Sequence, residues 1–197
     1  METSPPAARR PSEQEGMLRA AFRELHGARL HGFALLTTLG DRPLASRLAA
    51  EALADGARRA GQLRHPERAG AWLRRRVTRG LKRPSRPEPR REERRAALTA
   101  LGVDAATFDT LATFTPLERA TLVAAVIERL DPRDVEVVLG ANAAAVHRQT
   151  ALVRRRFIER RAAAHSAAGS EADSLAEPLL ATRITDIAER ALSWHRA

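Results

Sequence analysis

Apolar side chains recur every three or four residues through most of this chain, which is the spacing of one face of an α-helix. In the N-terminal part, the pattern covers residues 18–40, 43–61 and 66–81, and each stretch ends at or near a glycine. Pro43 stands where a helix accepts proline in its first turn. The pattern therefore predicts three amphipathic helices in this part of the chain.

The C-terminal part has the same spacing with clearer start signals, because Thr115 and Asp131 are each a capping residue followed by proline. We predict helices near 92–101, near 104–113, from Pro116 through Ile127, from Pro132 to Gly140, over 142–157 and over about 175–194. The apolar residues expected in the helical cores include Leu25, Leu117, Val123, Val153, Phe157 and Ile158. No alternating strand pattern of any length is present, so the predicted fold class is all-α.

Residues 84–89 contain three prolines among charged residues, which is typical of a stiff, exposed linker. We therefore predict two small helical domains joined by this linker, with a C-terminal helix after the second. The predicted divisions are a disordered N-terminus over 1–11, a helical domain over 12–82, the linker over 83–91, a second helical domain over 92–165 and an extension over 166–197. The acidic, amphipathic extension is predicted to complete the core, to dock a partner or to inhibit the basic body.

The chain is strongly basic, and its basic residues are almost all arginine. It has 34 Lys and Arg against 24 Asp and Glu, a formal charge of +10, and Lys82 is the single lysine. Arginine's planar fork suits phosphates and base edges, so nucleic acid is the expected class of partner. The absence of cysteine excludes thiolate metal sites and a cysteine nucleophile. No apolar run approaches the roughly 20 residues that cross a bilayer, so no membrane insertion is expected.

No residue pattern in the sequence indicates catalysis. The six histidines form neither an HExxH motif nor a His-x-x-x-His pair. There is no glycine-rich phosphate loop, since the glycines are scattered singly and are expected at helix ends. We therefore predict that the chain is not an enzyme and that it uses neither a metal nor another cofactor.

Residues 131–157 have the signature of a helix-turn-helix: a short helix, a turn that contains Gly140, and a capped second helix. In DNA-binding examples, the N-terminal residues of the second helix enter the major groove. The residues expected at bases are Asn142, Ala143, His147, Arg148 and Gln149, and those expected at phosphates are Arg154, Arg155 and Arg156. The alternative is a plain helical hairpin whose basic face is solvated.

A second basic segment, residues 64–83, carries eight basic residues and one acid. Its helix places Trp72, Leu73 and Val77 on one face and arginines on the other. We interpret Trp72 as a core residue rather than as a platform for base stacking. The arginines expected at DNA phosphates are Arg74, Arg75 and Arg79.

Two stretches of the chain together resemble the sigma-70 family of RNA polymerase initiation factors. Residues 22–81 resemble region 2 of that family through the GDRPLA turn and the HPE and AWL runs. Residues 114–157 resemble region 4 through the TPLER start and the VVLG turn. Two regions joined by a short linker are the organisation of the extracytoplasmic-function (ECF) type.

The resemblance implies a bacterial, cytoplasmic and nucleoid-associated initiation factor. Its partners would be the β′ clamp and β flap of the RNA polymerase core, promoter DNA and an anti-sigma factor. The helix over 142–157 would read the −35 element, and the N-terminal domain would recognise and melt the −10 element. The polymerase-binding residues implied by position are Leu44, Arg47, Leu48 and Glu51.

The sequence departs from the family pattern mainly in its N-terminal half. Arg47 stands where the family has an acidic residue that helps to bind the clamp, and most aromatic residues around the −10 helix are replaced. In the second half, Thr150 occupies a position expected to be apolar. These departures leave two alternatives open. One is a degenerate sigma-like regulator that binds DNA without opening promoters, and the other is a helical adaptor that binds only protein.

Overall fold

The structure, a computed structural model, describes residues 11–62, 65–81 and 90–167. Over these ranges the chain is all-helical, with eight α-helices and no strand, which confirms the predicted all-α class. The helices are α1 Pro11–Thr37, α2 Arg42–Arg59, α3 Ala69–Gly80, α4 Arg91–Thr99, α5 Ala105–Ala112, α6 Pro116–Leu122, α7 Pro132–Leu139 and α8 Ala143–Ala167. None of the helices within these ranges combines the length and the apolar content needed to cross a bilayer.

The turn between α1 and α2 is fixed by left-handed backbone and by a side-chain cap. Leu39 and Gly40 have φ angles of 55° and 81°. Asp41 Oδ1 then accepts a hydrogen bond from Leu44 N at 2.9 Å. A Cβ atom at Gly40 would overlap the backbone of Arg94, so α4 packs directly on this turn. Glycine alone combines this φ with such a close approach without strain.

α7 and α8 form a helix-turn-helix whose helix ends are capped. Asp131 Oδ1 accepts from Arg133 N at the start of α7. Gly140 follows α7 with a φ of 64°, the left-handed conformation that glycine supplies at a helix C-terminus. Asn142 Oδ1 accepts from Ala145 N at 3.0 Å and so starts α8. The start and stop signals predicted for these two helices are confirmed.

α6 begins with a reciprocal capping box and ends in a wider turn than the periodicity predicted. Thr115 Oγ1 accepts from Glu118 N, and Glu118 Oε2 accepts from Thr115 N at 2.8 Å. The helix then widens into a π-helical turn over Val123–Ile127, in which Glu128 N donates to Val123 O. A π-turn holds more residues than an α-turn, so the side chains that follow it face in a different direction.

The hydrophobic core is continuous through both halves of the described chain. Its largest fully buried side chains are Leu30, Phe33, Leu48, Leu73 and Val77 from α1 to α3, and Leu98, Phe108, Leu111, Val123, Val135, Val138 and Val153 from the later part. α3 packs along α7, and α1 packs against α6. The basic helix of the N-terminal half therefore lies directly beside the helix-turn-helix.

Two arginines also join the halves by binding backbone carbonyl groups. Arg119 is buried, and its Nε donates to Thr37 O at the end of α1, at 2.8 Å. Arg94 Nε donates to Leu39 O at 3.1 Å. Thr37 O is at the C-terminal end of α1, where a cation is favoured, and Leu39 O lies in the turn that follows. The division of the chain into two independently folded domains stays a prediction.

Three apolar residues assigned to the core by periodicity lie at the surface. Leu25 is 73% exposed, Leu117 is 43% exposed and Ile158 is 48% exposed. Near Leu25, it is Phe22 that faces α2. Leu117 lies in the first turn of α6. Ile158 directly follows the buried Phe157 on α8, so its side chain points about 100° around the helix from that of Phe157, away from the core. The expectation that these three side chains are buried is wrong.

Several predicted segments lie outside the described residues. Residues 1–10 contain most of the predicted N-terminus, 82–89 contain the prolines of the linker, and 168–197 contain the predicted last helix. At the edges of the described ranges, α1 begins at Pro11, α4 begins at Arg91 and α8 ends at Ala167. Against the predicted divisions, α1 begins one residue inside the N-terminus expected to be disordered, α4 begins one residue inside the linker, and α8 ends two residues inside the extension. α8 therefore continues ten residues beyond the helix predicted over 142–157.

Candidate nucleic-acid interface

The outer side of the first turns of α8 holds most of the residues predicted to read bases. Ala143, His147 and Arg148 are exposed, and Gln149 is half-buried. Ala143 and His147 are four residues apart and so share a face of the helix, with Arg148 next to them. Val146 points inward and is buried. The structure thus presents an arginine, a histidine and a small alanine together at the surface.

Asn142 has a structural role at the start of this surface. Its Oδ1 is committed to the amide of Ala145, and this bond satisfies one of the free N–H groups at the helix N-terminus. A bidentate contact to adenine would need the same oxygen atom. In this conformation Asn142 therefore positions α8, although its side chain is exposed.

Ion pairs use part of the positive charge of α8, and the two that reach outside the helix, from Arg156 and Arg161, anchor it to other segments. The pairs are Arg155 with Glu159 at 3.5 Å, Arg161 with Asp104 at 3.5 Å, and Arg156 with Glu118. The Arg156 guanidinium also lies 5.1 Å from the centre of the Phe114 ring. Of the three arginines predicted at phosphates, Arg156 is thus half-buried, and its charge is bound to Glu118. Arg154 and Arg155 are exposed.

Glu118 is the acidic centre of the Arg156 anchor. Partial burial acts to raise the pKa of its carboxyl group, but hydrogen bonds from Thr115 and the neighbouring Arg156 cation lower the pKa by more. The net pKa therefore lies below the ordinary value for a glutamate. The carboxylate is ionised at neutral pH and holds α8 to the start of α6.

Arg74, which was predicted to contact DNA, is instead buried against the C-terminal half. Its Nε and Nη2 donate to the two carboxylate oxygens of Glu128 at 2.6 and 2.8 Å. Its Nη1 donates to Gly70 O at 3.0 Å, and its guanidinium lies 5.7 Å from the Phe33 ring. Only 8% of the side chain is exposed. In this conformation Arg74 joins α3 to the residue after the π-turn and does not reach the surface.

Arg76 is neutralised on the side of α3 that faces α2. It forms an ion pair with Asp55, which also pairs with Arg58. Burial acts to raise the pKa of the Asp55 carboxyl group, but the two arginines lower it by more. The Arg76 guanidinium lies 5.9 Å from the Trp72 ring, which is partly buried and packs against the core. The interpretation of Trp72 as a core residue is confirmed.

Arg75 and Arg79 lie near the C-terminal end of α3, beside the turn of the helix-turn-helix. Arg75 Nη1 donates to Val137 O at 3.0 Å, and a Cβ atom at Gly140 would overlap its guanidinium. Thr78 Oγ1 donates to the next carbonyl of α7, also at 3.0 Å. These bonds cap the C-terminal end of α7, where the helix dipole favours donors and cations. Arg79 is exposed one turn further along α3.

The four residues carried over as polymerase contacts do not form one exposed surface. Leu48 is 2% exposed and packs in the core, where a Cβ atom at Gly80 would overlap it. Leu44 is half-buried. Arg47 and Glu51 are exposed and pair with each other at 3.2 Å. Of the four, only Arg47 and Glu51 are therefore exposed at the surface.

Two residues that hold the interface in place were missed in the sequence. Arg119 lies in the first half of α6, where an arginine is normally expected to be solvated, and no sequence signal marks its bond to Thr37. Glu128 follows an apolar run over 122–127, so its position next to buried chain could have been noticed. The pairing of Glu128 with Arg74 could not have been predicted, because the two residues are 54 positions apart in the sequence.

A groove with a volume of about 370 Å³ lies beside the exposed first turns of α8. It is bounded by residues of the π-turn, α7 and α8, and both Ala143 and His147 line it. Thr150 also lines the groove, and its Oγ1 is buried without a hydrogen-bond partner among the described residues. An unpaired buried hydroxyl group is unfavourable. Thr150 stands where the resemblance to sigma factors implies an apolar residue.

No family model matches the chain, and no curated protein or solved structure matches it either. Within the described residues, no three His, Asp or Glu side chains lie together where they could hold a metal ion. The candidate site is therefore defined by the geometry of α3, α7 and α8. The resemblance to sigma factors depends on the sequence motifs alone.

Proposed function

We propose that the chain is a sequence-specific DNA-binding transcription factor that reads duplex DNA with the first turns of α8. The observation that carries this proposal is the capped helix-turn-helix, in which His147 and Arg148 are exposed on the second helix. Arginine at such a position matches the O6 and N7 atoms of guanine, and the small Ala143 allows close approach to the groove. The net charge of +10 supplies attraction to phosphates.

The first candidate within this function is a sigma-like initiation factor with two helical domains. It would bind the RNA polymerase core, with Arg47 and Glu51 on its clamp-facing side, and would use α8 for the −35 element and the α3 region for the −10 element. An anti-sigma factor and association with the nucleoid belong to this candidate. Reading two separated elements requires α3 to leave α7, which breaks the pair between Arg74 and Glu128.

The second candidate is a regulator that binds DNA without opening promoters. Two observations favour it: Leu48 lies in the core, and Arg74 is covered by the C-terminal half. A residue implied for polymerase binding and a residue predicted for DNA binding are therefore both inaccessible in this arrangement. A regulator that binds one DNA site needs no separation of α3 from α7.

Both candidates require sequence-specific binding to duplex DNA. This shared property is tested by letting the full chain select duplexes from a randomised pool. We expect an enriched motif, and we expect Arg148→Ala to lower affinity for that motif by about 1–3 kcal/mol relative to a scrambled duplex. Arg160→Ala, an exposed change further along α8, is the matched control and should weaken both duplexes equally. Equal affinity of the unaltered chain for all duplexes would instead support the adaptor that binds only protein.

Addition of RNA polymerase core distinguishes the two candidates. Co-elution of the chain with the core enzyme, together with run-off transcripts from a promoter that contains the selected motif, would support the initiation factor. Binding to the motif without co-elution and without transcripts would support the regulator. The same experiments on a chain that lacks residues 166–197 show whether the extension inhibits either activity.

A further inference from the structure

Half of the arginines on α3 have no carboxylate partner among the described residues. Arg74 and Arg76 are bound to carboxylates of neighbouring segments. Arg75 and Arg79 form no ion pair with any described carboxylate. They are four residues apart and therefore lie on one face of the helix. This face carries two adjacent positive charges that no carboxylate of the described residues neutralises.

The two cations influence each other. Partial burial and the neighbouring Arg79 cation lower the pKa of Arg75 below its ordinary value. The Arg75 guanidinium remains charged at neutral pH, because the ordinary pKa of arginine lies far above neutrality. Repulsion between the two cations is therefore present in the free protein, and an anion bound between them would relieve it.

The pair lies close to the start of α8 because α3 runs beside α7 in the same direction. Just before α3, Arg68 Nε lies 3.8 Å from an oxygen of Asp134 near the start of α7. Further along, Arg75 donates to Val137 O near the end of α7. Arg79 lies one helical turn, about 5 Å, beyond Arg75 along the axis. The pair therefore flanks the turn that leads into α8.

We propose that Arg75 and Arg79 bind backbone phosphates of the same DNA segment whose bases α8 reads. The inference rests on the proposed function, since it requires α8 to lie in the major groove. A recognition helix in the groove brings flanking phosphates against the turn and against the elements beside it. The guanidinium fork matches phosphate oxygens in geometry and in charge. The N-terminal half thus contributes to one continuous DNA-binding surface.

A separate −10 contact by α3 makes the opposite prediction. In that arrangement α3 reaches DNA some distance from the site of α8, so its arginines affect binding only when the duplex is long enough to include both sites. In the continuous surface, the same arginines act on a duplex that contains only the α8 site. The two arrangements are therefore distinguished by whether Arg79 affects binding to a short duplex that contains only the α8 site.

The experiment uses the full chain and a duplex of about 15 bp, or one and a half helical turns, trimmed around the motif selected from the random pool. Affinity is measured across a range of salt concentrations for the unaltered chain, Arg79→Ala and Arg79→Glu. Arg59→Ala, an exposed arginine at the end of α2, is the matched control. Arg75 is left unchanged because its bond to Val137 O also supports the fold. Circular dichroism verifies the helical content of each variant.

We expect Arg79→Ala to lower affinity about fivefold near 0.15 M salt and to reduce the salt slope by about 0.9, the value for one phosphate contact. Arg79→Glu should lower affinity further, and Arg59→Ala should have a much smaller effect. Unchanged affinity and slope for both Arg79 variants, with sequence preference still dependent on Arg148, overturn the inference and leave the proposed function standing. If the pool yields no motif, the proposed function and this inference fail together.

Discussion

α3 and α8 are both rich in arginine, but the helices around them give them different roles. α3 lies between α2 and α7, and two of its arginines are bound to carboxylates: Arg76 to Asp55 of α2, and Arg74 to Glu128 after the π-turn. The first turns of α8 face outward, so His147 and Arg148 are exposed. The two helices have similar composition, and their neighbours decide which charges remain accessible. A basic run becomes a binding surface only where the packing leaves its charges unpaired.

The largest expected effect comes from removing the acid that neutralises α3. Glu128→Ala leaves Arg74 buried without its counter-charge, so we expect the free energy of unfolding to fall by about 3–5 kcal/mol. Denaturant titration measures this change. Arg47→Ala, which breaks the exposed pair with Glu51, is the control and should cost no more than about 0.5 kcal/mol.

The double variant Glu128→Leu with Arg74→Met tests the cause of that loss. Both charges are then replaced by apolar groups of similar size, so most of the lost stability should return. If Glu128→Ala and Arg47→Ala have equal effects, α3 is not buried against the C-terminal half in solution, and the contrast between α3 and α8 disappears.

The next effect is at the turn where α3 meets the helix-turn-helix. Gly140 has a φ of 64°, and a Cβ atom there would overlap the Arg75 guanidinium. We expect Gly140→Ala to destabilise the fold by about 1–3 kcal/mol, measured as a shift in thermal unfolding. Gly27→Ala is the control and should stabilise the fold. Its Cβ would make only an ordinary contact with Arg23, and alanine favours the helix by up to about 1 kcal/mol relative to glycine. A Gly140→Ala variant as stable as the unaltered chain would place α3 away from this turn.

A smaller effect concerns the inner side of α8. Thr150 Oγ1 is buried and unpaired among the described residues, so Thr150→Val should raise the free energy of unfolding by about 1 kcal/mol. Thr121→Val is the matched control, because Thr121 Oγ1 donates to Leu117 O at 2.9 Å and its loss should lower stability by about 1 kcal/mol. Chemical denaturation of both variants measures the difference. Two losses of the same size would show that Thr150 has a hydrogen-bond partner in solution.

The smallest effect is the pH dependence of the anchor between α6 and α8. The pKa of Glu118 is lower in the folded chain than in the unfolded chain, so its contribution to stability is present above about pH 4.5 and is lost as the pH falls through the folded value. Glu118→Gln should therefore flatten the decline in melting temperature between about pH 5 and pH 3. Identical pH profiles for the two proteins would rule out this contribution.

The helices could be predicted because their ends carry local signals. Asp131, Gly140 and Asn142 set the bounds of the helix-turn-helix through a cap, a left-handed glycine and a second cap, all within a few residues. The exposure of His147 and Arg148 followed from the same local pattern. Each of these features depends on side chains close together in the chain, which is why sequence reasoning reached them.

The packing of α3 on α7 could not be predicted in the same way. The pair of Arg74 and Glu128 spans 54 residues, and the π-turn before Glu128 interrupts the 3.6-residue period on which the predictions depended. The sequence therefore marked Arg74, Arg75 and Arg79 as equal candidates for phosphate contact. Their sorting into paired and unpaired groups depends on tertiary neighbours alone.

The most direct test of the central claim, that the exposed start of α8 reads DNA, is the sequence preference of Arg148→Ala. Fluorescence anisotropy gives the affinities of the full chain and of the variant for the selected duplex and for a scrambled duplex of equal length. We predict that the ratio of the two affinities falls by about 5- to 150-fold in the variant, which corresponds to about 1–3 kcal/mol. A ratio that is unchanged by Arg148→Ala would contradict the claim.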